Sequence, residues 1–353
     1  MIWLTWRQSR AQAAMMAAAL AVLAVILALT GPGLADDYSS GIAACSNQSG
    51  GCSAFVNRFF QDNRGPFLAV TAVGLVLPAL VGLFWGAPLV TRELEAGTHR
   101  LVWNQSITRN RWLAVKLGLV GLAAIIAAGL GTLAVTWWSS PLDKTAIDFP
   151  RMGPLLFGAR GIVPIGYAAF AFVLGVTVGM LVRRTVPAMA ITLAVFVAVQ
   201  IAMPLLVRPH LAAPTRSTIE ITTANLDQIN APRGGGPIEV FATDTGGYNG
   251  AWILSSRTID ASGHAVDSIR NLSRSGPCGP PQPGSTPQPA GAQPGDELSG
   301  CLAEIKRLGY RQRVSYHSAG RFWSFQGYET GIYAALTLGL AGFCFLRIRR
   351  RLS

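Results

Sequence analysis

Long apolar runs separated by polar connections dominate this chain. Six of the runs reach, or nearly reach, the roughly 20 residues that a helix needs to cross a bilayer. They are Ala11–Leu29, Phe67–Val90, Leu113–Trp138, Val163–Val182, Val186–Val207 and Gly331–Leu346. Backbone amides must be paired internally in lipid, so each run is predicted to be a helix. The pattern therefore predicts an all-α polytopic membrane protein with six transmembrane helices.

The first run has a second interpretation. Arg7 and Arg10, the apolar stretch and then Gly33-Leu34-Ala35 are similar to a secretory signal peptide with its cleavage site. The stretch is longer than the ~7–15 apolar residues of such peptides, which favours a retained span. Aromatic and aliphatic residues before the arginines predict an interfacial helix over residues 1–10.

A polar stretch, residues 208–330, separates the fifth and sixth runs and is too long for a simple turn. Alternating segments predict strands, one amphipathic segment predicts a helix, and a Pro/Gly-rich segment predicts a flexible excursion. The strands are Ser217–Thr223, Ile238–Thr243 and Arg311–His317, the helix is Glu297–Leu308, and the excursion is Ser275–Asp296. We therefore expect a small α+β domain inserted between the fifth and sixth helices.

Charge gives these elements an orientation. Only 13% of the residues are charged, about half the fraction in soluble domains, which excludes a single soluble globule. The net charge of +12 would by itself indicate nucleic acid or an anionic membrane surface. The excess is concentrated, however, in four short segments, 1–10, 91–112, 183–185 and 347–353. It therefore records membrane orientation and predicts no nucleic-acid partner.

Basic segments of short loops lie on the cytoplasmic side, so both termini are expected inside. The predicted order is a cytoplasmic or interfacial helix, helices 1–5 with a cytoplasmic loop at 91–112, an extracytoplasmic domain, helix 6 and a basic cytoplasmic tail. The corresponding ranges are 1–10, 11–207, 208–330, 331–346 and 347–353. We expect a multi-pass protein of the plasma (inner) membrane.

Several kinds of chemistry have no sequence support. A Walker A motif needs Gly-Lys-Ser/Thr, and none of the three lysines follows a glycine. The four histidines are scattered and form no H-E-x-x-H zinc site, so we expect no catalytic, cofactor or metal-binding residues in this chain. The predicted spans carry no charge except Lys116 near one end, which disfavours an ion-coupled carrier.

The segment between the second and third runs carries the most information. It begins Thr91-Arg92-Glu93-Leu94-Glu95-Ala96-Gly97-Thr98-His99-Arg100, and Thr91–Val102 is compatible with a short helix. The acids near its start favour the positive end of the helix dipole, and Thr108 is a candidate N-cap for the next helix. From the residues alone, the segment fits either a charged loop that obeys the positive-inside rule or a docking surface.

This segment resembles the ABC-2 family of ABC exporter permeases, in which E-x-E-x-G-T is followed by a Ser-Arg pair and a lysine. The matching residues are Glu93, Glu95, Gly97 and Thr98, then Thr108, Arg109 and Lys116. The proline that usually precedes the Ser-Arg pair is absent, and Gln105-Ser106 occupies that neighbourhood. Six spans with both ends inside also fit. Arg321–Gln326 and the arginine-rich tail resemble an actinobacterial branch.

The resemblance implies that two permease subunits pair, as a homodimer or with a paralogue, and that each engages a cytoplasmic ATPase subunit. ATP and Mg would then be bound by the partner ATPase, and this chain would not be an enzyme. The loop would be a coupling helix that transmits ATPase closure to the spans of an exporter for an unidentified substrate. The residues carried over are Arg92, Glu93, Glu95, Gly97, Thr98, Arg100, Thr108 and Arg109.

Two alternatives belong to other functional classes. A membrane receptor or scaffold would bind a ligand or partner through the extracytoplasmic domain without transport, and it would not need the segment at 91–116. A membrane enzyme has little support, because no convergent set of catalytic residues is visible.

The five cysteines divide by predicted topology. Cys45 and Cys52 share the first external loop, and Cys278 and Cys301 share the large external domain. The oxidising side of the membrane permits a disulfide in each pair, which we favour over free thiols or crossed pairing between the loops. Cys344 lies in the sixth run, where a small apolar packing role is expected.

Overall fold

The computed structural model divides the chain into two compact units. One is Met1–Leu211 with Gly320–Ser353, and the other is Ala212–Ala319. The described residues are 2–46, 51–97, 108–146, 149–223, 225–230, 239–242, 250–266, 269, 272, 278 and 296–351. Among them, six helices are long and apolar enough to cross a membrane, which confirms the number of spans predicted from hydropathy.

The helices of the first unit are longer than most of the apolar runs. They are α1 Ile2–Ser46, α2 Ser53–Val81, α3 Ala87–Glu95, α4 Arg109–Asp143, α5 Pro154–Phe157, α6 Val163–Val182, α7 Thr185–Ala202 and α9 Phe322–Arg351, with α8 in the other unit. A π-helical turn, Gly82–Gly86, joins α2 to α3 as one span. Residues 2–10 are the first part of α1, and α9 begins nine residues before the predicted run. Both helices extend beyond the apolar runs because backbone hydrogen bonds continue where side-chain hydropathy falls.

Helix α6 lies at the centre of this unit. It is apolar on all sides and contacts α2, α3, α4, α7 and α9. A helix that is hydrophobic all round is expected to be buried by its neighbours. By contrast, α1 packs mainly against α4 and leaves most of its apolar surface exposed. Helix α6 is also the span whose ends coincide with the predicted run.

Two glycines let the α2–α3 span approach α6 closely. A Cβ atom added at Gly175 of α6 would lie 2.6 Å from the backbone nitrogen of Ala87 and the carbonyl oxygen of Gly82. A Cβ atom at Gly86 would lie 2.4 Å from the carbonyl oxygen of Phe172. The hydrophobic effect does not drive helices together within a membrane. Small residues at such positions let the backbones approach closely, and van der Waals packing then stabilises the contact.

Gly175→Ala is therefore expected to destabilise the first unit. The added methyl group meets backbone atoms that can move only with their helix, and overpacking of this kind costs about 1–3 kcal/mol. Gly118→Ala on α4 is the matched control, since a Cβ there meets no atom within 4 Å. Thermal unfolding of the purified chain should separate the two variants. Equal stability of Gly175→Ala and the unmodified chain would contradict the packing.

In its described residues, the unit Ala212–Ala319 has two antiparallel sheets and one α-helix. The strands are β1 Thr215–Glu220, β2 Leu226–Asn230, β3 Glu239–Ala242, β4 Trp252–Ile259, β5 Ala265–Val266 and β6 Arg311–His317, and the helix is α8 Asp296–Arg307. The four-stranded sheet has the order β1-β6-β4-β5, and β2 pairs with β3. This supports the expected α+β composition.

Strands β2, β4 and β5 lie at positions where the sequence predicts none, and β4 is the longest of the three. Its register against β6 shifts between Ile253 and Ser255, which is a bulge or irregularity. An extra residue moves the following side chains to the opposite face, so the alternation of polar and apolar residues is interrupted within the strand. The predicted excursion, Ser275–Asp296, lies almost wholly outside the described residues.

The structure contains the two disulfides that the topology favoured. Cys45–Cys52 joins the end of α1 to the residue before α2, with the Cα atoms 5.1 Å apart. Cys278–Cys301 lies in the hydrophobic core of the second unit with Ile221, Ile305 and Tyr310. Cys344 is a buried free thiol.

Candidate coupling site

The segment that carries the family pattern closes the second span. Helix α3 ends at Glu95, and Gly97 follows with a φ of 68°. Its N–H donates to the carbonyl oxygen of Leu94 at 3.4 Å. A residue without Cβ adopts this left-handed conformation at no steric cost, so Gly97 ends the helix. Thr98 and Arg100 of the predicted site lie outside the described residues.

Glu93 links α3 to α4. Its Oε1 lies 2.5 Å from Nζ of Lys116, and both side chains are largely buried. The same ammonium group donates to the carbonyl oxygen of Leu89 at 3.3 Å and lies 4.8 Å from the centre of the Trp112 ring. A buried charge needs partners of this kind, because desolvation penalises an unpaired one heavily. Glu93 and Lys116, both matched to the family pattern, are thus brought into contact.

Glu95 links α3 to α7. Its Oε2 accepts hydrogen bonds from the backbone N–H of Thr185 at 3.2 Å and from the Thr185 hydroxyl at 2.7 Å. Thr185 is the first residue of α7, so the carboxylate satisfies a backbone donor at the positive end of that helix. The Thr185 hydroxyl also lies 3.4 Å from the hydroxyl of Thr91. The short Arg183-Arg184 turn brings α7 within reach of α3.

The other predicted site residues have different surroundings. Arg92 is exposed, while the acids beside it face their own chain. Thr108 is the N-cap of α4 as predicted, its hydroxyl accepting from the backbone N–H of Arg111 at 3.4 Å. Arg109 is the first residue of that helix. The arrangement links the end of one span mechanically to the starts of two others.

A buried ionic cluster joins α6, α9 and the end of the fifth span, and sequence analysis missed it. Arg208 Nε lies 2.8 Å from Oε2 of Glu329, and both side chains are at most 1% exposed. The Tyr167 hydroxyl donates to Glu329 Oε1, and the Tyr333 hydroxyl lies 3.1 Å from Oε1 of Gln200. The expectation that the spans carry no charge except Lys116 is therefore wrong, since Glu329 lies inside helix α9.

Whether the sequence reveals this cluster depends on where the sixth helix is taken to begin. The apolar run begins at Gly331, whereas α9 begins at Phe322, so the run alone leaves Glu329 in the preceding polar stretch. Glu329 and Tyr333 are four residues apart and lie on the same face of a helix. The aromatic lead-in from Phe322 to Tyr328 could extend the sixth run, and that extension places both residues inside the helix.

A second buried pair stabilises the connection before α6. Arg160, fully buried, donates from Nε to Oδ2 of Asp143 at 3.2 Å and from Nη2 to the hydroxyl of Thr71 at 3.1 Å. Gln326 of α9 lies beside it, its Oε1 accepting from the backbone N–H groups of Ile162 and Val163 at 2.9 and 2.8 Å. The start of α6 is thereby fixed to α9.

These groups position helices and show no convergent catalytic geometry. Within the described ranges, no group of three or more His, Cys, Asp or Glu side chains is arranged to hold a metal ion. Each buried carboxylate described above is engaged by a cation, a hydroxyl group or both. The chemistry that the site offers is mechanical linkage through charge-assisted hydrogen bonds.

Comparison with known proteins identifies the family. Residues 17–208 match the family model described as "ABC-2 membrane transporter related". No curated protein and no solved structure gives a significant match. The matched range covers more than half of the chain and includes nearly all of the first five spans and the segment at 91–97. This multi-pass membrane protein of the ABC permease type belongs to the ABC-2 membrane transporter related family.

Proposed function

We propose that the chain is the membrane-spanning permease subunit of an ATP-driven exporter. It forms the translocation path together with a second permease subunit, and separate cytoplasmic ATPase subunits bind ATP and Mg. The observation that carries this proposal is the pair of links from α3, through Glu93 to Lys116 and through Glu95 to Thr185. A force applied to the segment after α3 acts directly on three spans.

The roles within the segment divide by the contacts that each side chain makes within its own chain. Arg92 is exposed and is available to a partner, and we assign the same role to Thr98 and Arg100. Glu93 and Glu95 face α4 and α7, so they pass a displacement to the spans. ATP binding in the ATPase would then favour one of two arrangements of the helices through its different contacts with each.

We infer that both termini are cytoplasmic and that the unit Ala212–Ala319 is extracytoplasmic. The basic short segments support this orientation through the positive-inside rule. The disulfides support it independently, since Cys45–Cys52 and Cys278–Cys301 would both lie on the oxidising side of the membrane.

Co-purification tests the proposed function. The tagged chain, solubilised from its native membrane in mild detergent, is expected to retain an ATP-binding polypeptide that peptide mass spectrometry detects. Arg92→Glu with Arg100→Glu should reduce this recovery about tenfold, because reversed charge at a contact disfavours the complex. Lys306→Gln with Arg307→Gln, which removes two charges from the other unit, is the control. Recovery that is absent throughout, or unchanged by the first pair, would contradict the proposal.

A further inference from the structure

Three of the exposed arginines on one face of the four-stranded sheet in the unit Ala212–Ala319 line a common cleft. They are Arg216 on β1, Arg257 on β4 and Arg313 on β6, and all three are exposed. Val314, next to Arg313, is fully buried on the opposite face. Together with Ser255 and Ser315, the arginines line an open cleft of about 550 Å³, which we call the arginine cleft. Its donors come from three neighbouring strands.

The strand register brings like charges together in the arginine cleft. Arg257 lies directly opposite Arg313, and Arg216 lies opposite Ser315. Like charges at directly opposed positions destabilise an antiparallel pair. In the part of the chain that the structure describes, none of the three guanidinium groups has a hydrogen-bond or ion-pair partner. The sheet alone therefore does not account for the arrangement.

The acid at the end of this sheet face is already engaged. Glu220 of β1 accepts a hydrogen bond from Lys306 Nζ at 2.8 Å, which holds the pKa of the carboxyl below its usual range. Arg311 lies opposite Glu220 in the register. Glu220 is therefore engaged by Lys306 and does not line the arginine cleft, so the cleft keeps its three positive charges.

We propose that the arginine cleft binds the phosphate group of an anionic ligand. Guanidinium groups donate paired hydrogen bonds whose geometry matches the oxygens of phosphate, and three of them provide charge for a dianion. Ser255 and Ser315 add hydroxyl donors on the same face. A bound phosphate also removes the repulsion between Arg257 and Arg313. The inference stands independently of the proposed export function, because it concerns only this unit.

The test compares two variants of the full chain that lose the same charge. Arg257→Gln with Arg313→Gln alters the cleft, and Lys306→Gln with Arg307→Gln alters α8 in the same unit. Inorganic phosphate is titrated at constant ionic strength in a phosphate-free neutral detergent and followed by phosphorus NMR line broadening. We expect the first pair to weaken binding about tenfold or more and the second pair to change it less than about twofold.

A second arm distinguishes free phosphate from a lipid headgroup. The chain in phosphatidylcholine nanodiscs, with or without phosphatidylglycerol, is released and examined by native mass spectrometry for retained lipid. If only the cleft variant loses retained phosphatidylglycerol, the ligand is a lipid headgroup. If inorganic phosphate binds but lipid is not retained, the ligand is soluble. Absence of both, or equal losses in the two variants, overturns the proposal.

Thermal stability measured in chloride buffer tests whether the arginines have a purely structural role. Removing the opposed Arg257–Arg313 pair should leave the melting temperature unchanged or higher, because the repulsion is relieved. A marked fall in melting temperature would show instead that the arginines are needed for folding and would count against a ligand site.

Discussion

Glu329→Gln is expected to lower the free energy of unfolding by about 3–5 kcal/mol, the usual result of breaking a buried ion pair by removing one partner. Glu329 is fully buried and accepts from Arg208 at two positions, 2.8 and 3.1 Å away, and from the Tyr167 hydroxyl. Glutamine keeps the shape but removes the charge that balances a buried guanidinium. The purified chain should therefore melt at a clearly lower temperature.

Two further variants test whether loss of the charge pair itself causes the lower stability expected of Glu329→Gln. Arg208→Met with Glu329→Met removes both charges together, and buried pairs replaced by apolar residues often retain stability. We expect this double variant to be more stable than Glu329→Gln alone. Glu220→Gln, which disrupts an exposed pair with Lys306, should have little effect. A Glu329→Gln chain as stable as the unmodified one would contradict the role assigned to the cluster.

Glu93→Ala with Glu95→Ala is expected to lower transport-coupled ATP hydrolysis while membrane insertion persists. The substitutions remove the links from α3 to Lys116 of α4 and to Thr185 of α7. Coupling free energies between sites commonly correspond to effects of about 5–150-fold, so we expect a decrease of at least about fivefold. The measurement is ATPase activity of the reconstituted complex of permease and ATPase, with insertion checked by membrane extraction.

The design must separate coupling from folding, because Glu93→Ala alone leaves Lys116 buried without its carboxylate. Glu93→Gln with Lys116→Met removes both charges and should fold normally but remain uncoupled. Glu304→Gln, an acid on α8 paired with Arg307, is the control and should retain full stimulation. Unchanged stimulation in the Glu93 and Glu95 double variant would contradict their assignment. Retained binding of the ATPase together with lost stimulation would match the division of roles between Arg92 and the two acids.

The spans were predictable because hydropathy is a local property. The run Val163–Val182 coincides with α6, since a helix buried on all sides is apolar throughout. Strand β6 was also found at its predicted ends, Arg311–His317, because its alternation is uninterrupted. Strand β4 was missed, since the register shift near Ser255 breaks the period of two on which the prediction depends.

The candidate site was predictable in identity but not in arrangement. The spacing of Glu93, Glu95 and Gly97 resembled a family pattern, and the family match supports that resemblance. The same pattern did not show that the carboxylates face Lys116 and Thr185, because those contacts join residues 23 and 90 positions apart. Exposure of Arg92 beside the two engaged acids is likewise a result of how α3 packs.

The sequence by itself determined six membrane-spanning segments, a family resemblance in one polar segment and an α+β region after the fifth span. The length of an apolar run, a short motif and the period of side chains are properties of neighbouring residues. Each can therefore be recognised without knowing the fold. Only the tertiary structure decided which charges are buried and which residues balance them. Arg208 and Glu329 are 121 residues apart, and the ion pair forms because the end of the fifth span and α9 meet beside Tyr167 of α6, where both charged side chains are buried.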